Sequence, residues 1–324
     1  MGAGMADRSG VSLLLARYGT ALALLVLLLF NFAVTPNFAT WQTLNVNLTQ
    51  VSTIVIVAVG MTLVIATGGI DLSVGSLMAI SGALAPMIFL GNLVEIGWVP
   101  AAVAMFVAVA ATTVLGAFNG WLIARFRIQP IVATLVLFIA GRGIAQVMTN
   151  GNLQVFKLPE FQWIGLGRPF GIPAQVIVML CIVVFAAWVL ARTSFGRQLL
   201  AIGGNERAAR LSGIATGRIK IAVYAISGAL AGVAGLVVIA INSASDANLV
   251  GMGMELDAIA AVAVGGTLLS GGRASIIGTL LGALIIQLVR YTLLANGVPD
   301  AAALVVKAAI IIGAVWLQER GRAA

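Results

Sequence analysis

Apolar residues run along this chain in long blocks, not in the short alternating stretches of a soluble domain. Nearly charge-free runs lie near residues 18–36, 48–68, 72–92, 98–124, 129–150, 172–191, 219–241, 255–270, 274–295 and 302–318. A transmembrane helix needs about 20 predominantly apolar residues, so each run predicts one span, with ends uncertain by several residues. The first run, from Tyr18 to Val34, has a long apolar core and no small-residue cleavage site after it. It therefore reads as a retained helix and not as a secretory signal.

Composition agrees with the pattern. Of 324 residues, 61% are hydrophobic and only 9% are charged, against about 25% charged in soluble domains. Folded in water, such a chain would expose large apolar patches, so a soluble enzyme is excluded. The expectation is an all-α polytopic membrane protein of about ten transmembrane helices, with residues 1–324 as one transmembrane domain. Positive loops stay cytoplasmic. With the N-terminus inside and ten crossings, thirteen of the 18 Lys and Arg residues fall on inner segments, Lys157 and Arg168 fall outside, and Arg142, Arg290 and Lys307 fall within spans. The opposite orientation inverts that bias, so both termini are expected in the cytoplasm.

Two connections are long. The stretch 151–171 is expected outside, in the periplasm, and carries Trp163; this ring is either an interfacial anchor or a sugar-stacking platform. The stretch 192–220 is expected inside, and six of its 29 residues are Arg or Lys. A weak repeat is also present: Asp71-Leu72 is followed by Ala79-Ile80 and Gly82, and Glu255-Leu256 by Ala263-Val264 and Gly266 at the same offsets. This pattern is either coincidence in a Gly/Ala-rich chain or a 5+5 inverted repeat, as in many transporters.

The chemistry available is narrow. There is no His, and Cys181 is the single Cys. Imidazole or thiolate metal sites and Ser-His-Asp catalysis are therefore excluded, and the chain reads as a non-enzyme with no metal and no cofactor of its own. Its +8 charge is scattered between apolar runs as a topology signal, which argues against a nucleic-acid partner.

Polar residues within or beside the spans are the candidates for a substrate pathway: Asp71, Ser73, Asn119, Arg142 and Gln146. Gly68-Gly69-Ile70-Asp71-Leu72-Ser73 reads either as a tight cytoplasmic turn with Asp71 as helix cap or as a broken helix whose carboxylate lines a polar path. Asn119, Gln146 and Gln287 either bond across helices or bind the hydroxyls of a polar solute. Arg142 either pairs structurally or lines the path, while Arg290 and Lys307 suit snorkelling or pairing with Asp300.

In the inner loop, Asn205 is a fair N-cap, Glu206 suits a helix start, and Gly213 can end the helix. Ala208, Ala209, Leu211 and Ile214 give that helix an apolar side. It is either a helix lying beside lipid headgroups or a docking helix for a cytoplasmic partner.

The stretch from Ala201 to Ile214, including Gly203, Gly204, Asn205, Glu206, Arg207, Ala208, Ala209, Leu211 and Gly213, resembles the coupling-helix motif of ATP-binding-cassette importer permeases. Gly60 to Gly75, Glu255 to Ala260 and Gly265 to Gly278 agree, and the similarity covers nearly the whole chain. The chain is similar to the ribose, xylose and galactose permease family. Ile128 to Thr134 and Ala140 to Gln146 most resemble its galactofuranose-type branch. The resemblance implies a bacterial inner-membrane sugar permease with three kinds of partner: a cytoplasmic ATPase that uses the ATP, a periplasmic sugar-binding protein, and a second permease copy or related permease. Membrane lipid surrounds it. The chain lacks G-x-x-x-x-G-K-[ST], in keeping with ATP use by a separate subunit. The rival expectation is an ion-coupled secondary transporter. The lack of His and the position of Asp71, Glu255 and Asp257 near predicted span ends speak against it.

Overall fold

The structure, a computed structural model, describes residues 10–91, 100–299 and 301–313 apart from 307 and 311. Its helices follow the apolar runs. The first five are α1 (Gly10–Val34), α2 (Trp41–Ala66), α3 (Val74–Phe89), α4 (Ala101–Phe126) and α5 (Pro130–Met148). A two-residue strand β1 (Gln154–Val155) and a short helix α6 (Pro159–Leu166) lead to α7 (Ala174–Arg192), α8 (Ser194–Gly204) and α9 (Glu206–Leu211). The chain continues through α10 (Thr216–Asn242), β2 (Ala244–Ser245), α11 (Met254–Val264) and α12 (Ile276–Ala295), with further helix at 301–306 and 308–310. Six described helices, α2, α4, α5, α7, α10 and α12, are long and apolar enough to cross a membrane. Tyr18–Val34, α3 and Ala301–Ile310 are shorter apolar helices. Both termini and the last part of the expected span at 302–318, with Lys307 and Asp300, lie outside the described residues.

Local chemistry sets the helix boundaries. Thr40 and Ser275 cap α2 and α12 by accepting from the amides of Thr43 and Gly278, which satisfies donors that the first turn leaves open. Pro130 and Pro159 open α5 and α6, where a missing N–H costs nothing. The long connection 151–171 is structured: β1 pairs antiparallel with β2, and α6 lies so close to α10 that a Cβ on Gly165 would stand 2.3 Å from the carbonyl carbon of Ala240.

The core is built on α2 and α10. Every residue of α2 from Val51 to Ala66 is buried, and a helix covered all round needs no amphipathic stripe. By contrast, α4, α5 and α7 leave Phe106, Val136 and Val184 on the outside, an apolar exterior suited to hydrocarbon. Small residues bring backbones together where apolar side chains alone gain nothing from leaving lipid. On the α4–α10 seam, a Cβ on Gly116 would lie 2.3 Å from the Tyr224 carbonyl and one on Gly228 2.3 Å from the Thr112 carbonyl. The pairings come in matched sets: α10 packs on α4 as α2 packs on α12, α3 on α4 as α11 on α12, and α3 on α10 as α11 on α2.

Two expected spans are shorter than the hydropathy implied. The run 72–92 is helical from Val74 to Phe89, and the run 255–270 only from Met254 to Val264. Eleven residues of helix rise about 16 Å, well short of a hydrocarbon core of about 30 Å. Hydropathy read these runs as full spans because the residues after α11 are uncharged. Its helix ends at Gly265-Gly266, with Gly266 at φ 81°, a conformation that glycine adopts freely.

Candidate translocation and coupling sites

The polar candidates of the sequence fall into two groups inside the bundle. The first is a knot at the entry to α3. Asp71 is fully buried. Its Oδ1 accepts from the amide of Ser73 at 3.0 Å and from the Ser73 hydroxyl at 2.6 Å, and its Oδ2 accepts from the Ser227 hydroxyl on α10 at 2.8 Å. Asn119 on α4 donates to the Ser73 hydroxyl at 3.1 Å, and Thr134 on α5 accepts from the amide of Leu72 at 3.1 Å. One carboxylate with three donors therefore gathers α3, α4 and α10. The tight-turn reading is corrected here in part. Asp71 does organise the first turn of α3, but from inside the protein: Ser227 lies eleven residues into α10, about 16 Å along its axis. Charged groups are taken out of water only when donors of this kind replace it.

The second group ties α5 to the starts of α3 and α11. Arg142 donates through Nη1 to the carbonyls of Ala247 and Val250 and through Nη2 to that of Gly75 at 3.3 Å. Gln146 donates to Asn248 at 2.9 Å, and Asn248 in turn donates to Asp246 at 2.9 Å. At Gly75 the two short helices meet, since a Cβ there would stand 2.3 Å from the Gly251 carbonyl oxygen and 2.6 Å from Glu255 Oε2. Glu255 sits in the first turn of α11, where the helix dipole favours a negative charge. It is only 7% exposed, and its Oε2 accepts no hydrogen bond among the described residues. Asp71, Glu255 and Asp257 do stand at helix starts, as their position near predicted span ends implied. All three are buried, because α3 and α11 begin inside the protein and not at its surface. Gln287 donates to Gln50 at 2.6 Å across the α2–α12 seam, as interhelical bonding would have it. Trp163 is exposed on α6.

The inner loop 192–220 folds as two helices. Thr193 caps α8 by accepting from Gly196, and Asn205 caps α9 by accepting from Ala208 at 3.0 Å. Glu206 opens α9 and accepts from Arg210 at 3.1 Å and Lys220 at 2.7 Å. Partial burial raises its pKa, but the hydrogen bond and charge of Lys220, joined by Arg210, outweigh that and hold the carboxyl below its ordinary range. Gly213, at φ 83°, turns the chain out of the helix. The expected single apolar side is divided: Ala209 is buried beneath α9, Ile214 is half-buried, and Ala208 and Leu211 face outward, with Leu211 84% exposed. Six residues make fewer than two turns, too few to keep these four positions on one face. Arg207 is exposed beside them.

Behind α9, the end of α8 is pressed into the bundle. A Cβ on Gly203 would lie 1.9 Å from the Ala66 carbonyl oxygen and 2.3 Å from the amide nitrogen of Gly272. The Gly272 amide itself donates to Ala66 at 3.0 Å. A Cβ on Gly271 would fall 2.7 Å from the Gly68 nitrogen, and one on Gly272 2.9 Å from Gly204 Cα. Gly68, Gly203, Gly204, Gly271 and Gly272 thus stack backbone on backbone. They join the exposed α9 to the turn before α3 and to the loop after α11. Sequence reasoning missed Ala66 and Ser227 as partners. The repeated Gly-Gly pairs were the one signal that these segments meet.

Among the described residues no group of His, Cys, Asp or Glu could hold a metal. What the arrangement offers is a polar seam through an apolar bundle, with a protruding helix linked through Gly203 to the turn before α3 and to the loop after α11. That makes the chain a multi-pass helical membrane protein of the transport class. It belongs to the family described as the permease component of branched-chain amino acid transport systems, which residues 43–315 match. It is 45% identical over 304 residues to the ribose import permease protein RbsC of Escherichia coli (strain K12), covering 92% of each chain. It is 39% identical over 311 residues to the galactofuranose transporter permease protein YtfT of the same strain, covering 92% of this chain and 88% of that one. It is 40% identical over 246 residues to the fructose import permease protein FruF of Bifidobacterium longum (strain NCC 2705), covering 75% of this chain and 67% of that one. No solved structure matches.

Proposed function

We propose that this chain is the membrane-spanning permease subunit of an ATP-binding-cassette importer, carrying a monosaccharide, a pentose or hexose, inward across the bacterial inner membrane. A separate cytoplasmic ATPase drives it, and a periplasmic sugar-binding protein delivers the cargo. The observation that carries this reading is the glycine junction. The helix with an exposed leucine, Leu211, directly follows Gly203 of α8, which rests on Ala66 and Gly272, so a push on α9 reaches the turn before α3 and the loop after α11 at once. Relatives named for ribose, galactofuranose and fructose import support a sugar over the amino acid of the family's description.

In this reading the chain crosses ten times with both termini in the cytoplasm, and the matched pairings of α2–α4 and α10–α12 reflect a 5+5 inverted repeat. Alternating access is a rocking of the two sets about the α3–α11 contact, biased by ATP through the differing grip of the ATPase on the two states. Two permease chains, identical or related, form the pore.

The test is sugar uptake in proteoliposomes holding the permease and its ATPase. Uptake should require ATP, and Glu206→Lys or Gly213→Trp should abolish it while membrane insertion is retained. Uptake that persists without the ATPase and collapses with the proton gradient would instead establish an ion-coupled carrier. Normal uptake in both variants would remove the docking role of α9.

A further inference from the structure

A cleft of about 670 Å³ opens between α9, the start of α10 and the α4–α5 turn. Arg127, Arg207, Arg210, Lys220 and Glu206 line it, with Gln129. Four cations against one carboxylate leave three positive charges uncompensated. Glu206 is already shared by Arg210 and Lys220, and neither Arg127 nor Arg207 meets a carboxylate among the described residues. Like charges converging on one recess repel unless an anion joins them, and guanidinium groups match phosphate oxygens in geometry.

A second observation says where that anion resides. On the outward side of α4, just before Arg127, Phe118 and Trp121 stack with ring centroids 5.9 Å apart, and Trp121 meets Phe126 edge-on at 5.1 Å. All three rings are exposed. Exposed aromatic clusters of this kind mark the boundary between hydrocarbon and headgroups. The cationic cleft therefore opens at the level of lipid phosphates, beside an apolar surface along which an acyl chain can lie. Basic pockets at this depth bind anionic headgroups.

We propose that this cleft is a binding site for the headgroup of an anionic phospholipid, held by Arg127 and Arg207 and braced by Arg210 and Lys220. The bound lipid would pin α9 against the α4–α5 turn and make the coupling helix responsive to membrane composition. The site does not depend on the nature of the cargo, so its failure would leave the transport reading intact, and the reverse also holds.

The test uses the full chain purified with its ATPase in mild detergent, and reads retained phosphatidylglycerol against phosphatidylcholine by native mass spectrometry. The wild type should retain phosphatidylglycerol preferentially. Arg127→Gln and Arg207→Gln should each lower that retention about fivefold, and the pair together should abolish it. Arg127→Lys with Arg207→Lys should restore most of it, and Arg168→Gln, outside the cleft, should change nothing. Undiminished retention in the double Gln variant would overturn the proposal. So would displacement of the lipid by excess inorganic phosphate, which would mark a free-phosphate site. Loss of the ATPase with the lipid still held would also overturn it, by marking a protein interface.

Discussion

The two short helices α3 and α11 begin beside each other, each with a buried carboxylate at its entry, yet the two carboxylates are treated differently. Asp71 has every donor it needs: the Ser73 amide and hydroxyl and the Ser227 hydroxyl. Glu255 keeps an oxygen with no hydrogen bond among the described residues, while Arg142 nearby spends its donors on backbone carbonyls. A saturated carboxylate fixes its surroundings, because moving any partner exposes an unpaired group. An oxygen without a hydrogen bond has none to break when its neighbours shift. The α3 entry is therefore fixed by three hydrogen bonds of a kind that Glu255 Oε2 at the α11 entry lacks.

The sharpest way to break this comparison is to remove Asp71. Asp71→Ala leaves three buried donors unpaired and should cost about 3 kcal/mol or more, seen as a large fall in thermal midpoint in detergent. Asp71→Asn, which keeps an acceptor, should lose less. Equal midpoints for Asp71→Ala and the wild type would end the claim that the knot organises α3.

Gly203→Ala comes next. Its methyl group meets Ala66 and Gly272 backbone, and overpacking of this kind costs about 1–3 kcal/mol. ATP-driven uptake should fall much further than stability, since the same contact links α8 and α9 to the turn before α3 and to the loop after α11. Parallel losses in the two assays would reduce the junction to packing.

Glu255→Gln should be mild in stability, within about 1 kcal/mol, since no hydrogen bond to Oε2 is lost. It should nevertheless alter the uptake rate. A destabilisation matching that of Asp71→Ala would erase the difference between the two ends.

The smallest effect concerns the surface carboxylate Glu206. Its folded pKa lies below the ordinary value, so its contribution is fully present above about pH 4.3 and disappears as the pH falls through the folded value. Binding of the ATPase should be flat near neutrality and weaken only in acid, and Glu206→Gln should remove that acid dependence. A midpoint near neutrality would contradict the Glu206–Lys220 pairing.

Much of the architecture is legible in the residue order because lipid imposes a simple rule: backbone groups must be satisfied within the segment, so an uninterrupted apolar run becomes a helix. That is why α4, α5, α7, α10 and α12 match their expected runs within about three residues at each end, while α2 begins seven residues before its run, at Trp41. The caps were legible for a similar reason, since Asn205 and Gly213 act on neighbours in sequence. The shortness of α11 was not, because its uncharged glycine-rich continuation carries the same hydropathy as a helix. The candidate pathway residues were recognisable as polar groups in apolar runs. What each one bonds was not, because Asp71 and Ser227 are 156 positions apart.

The residue order alone determined an oily, helical, membrane-embedded chain with one strongly basic loop and no histidine, because these properties depend on what each segment contains. Only the tertiary structure decided that Asp71 is saturated with hydrogen bonds and Glu255 Oε2 is not, and that Gly203 seats the end of α8 on the end of α2 and the loop after α11. It also decided that four cations share one cleft. These features are close approaches between distant segments, fixed by which small residues let two backbones touch.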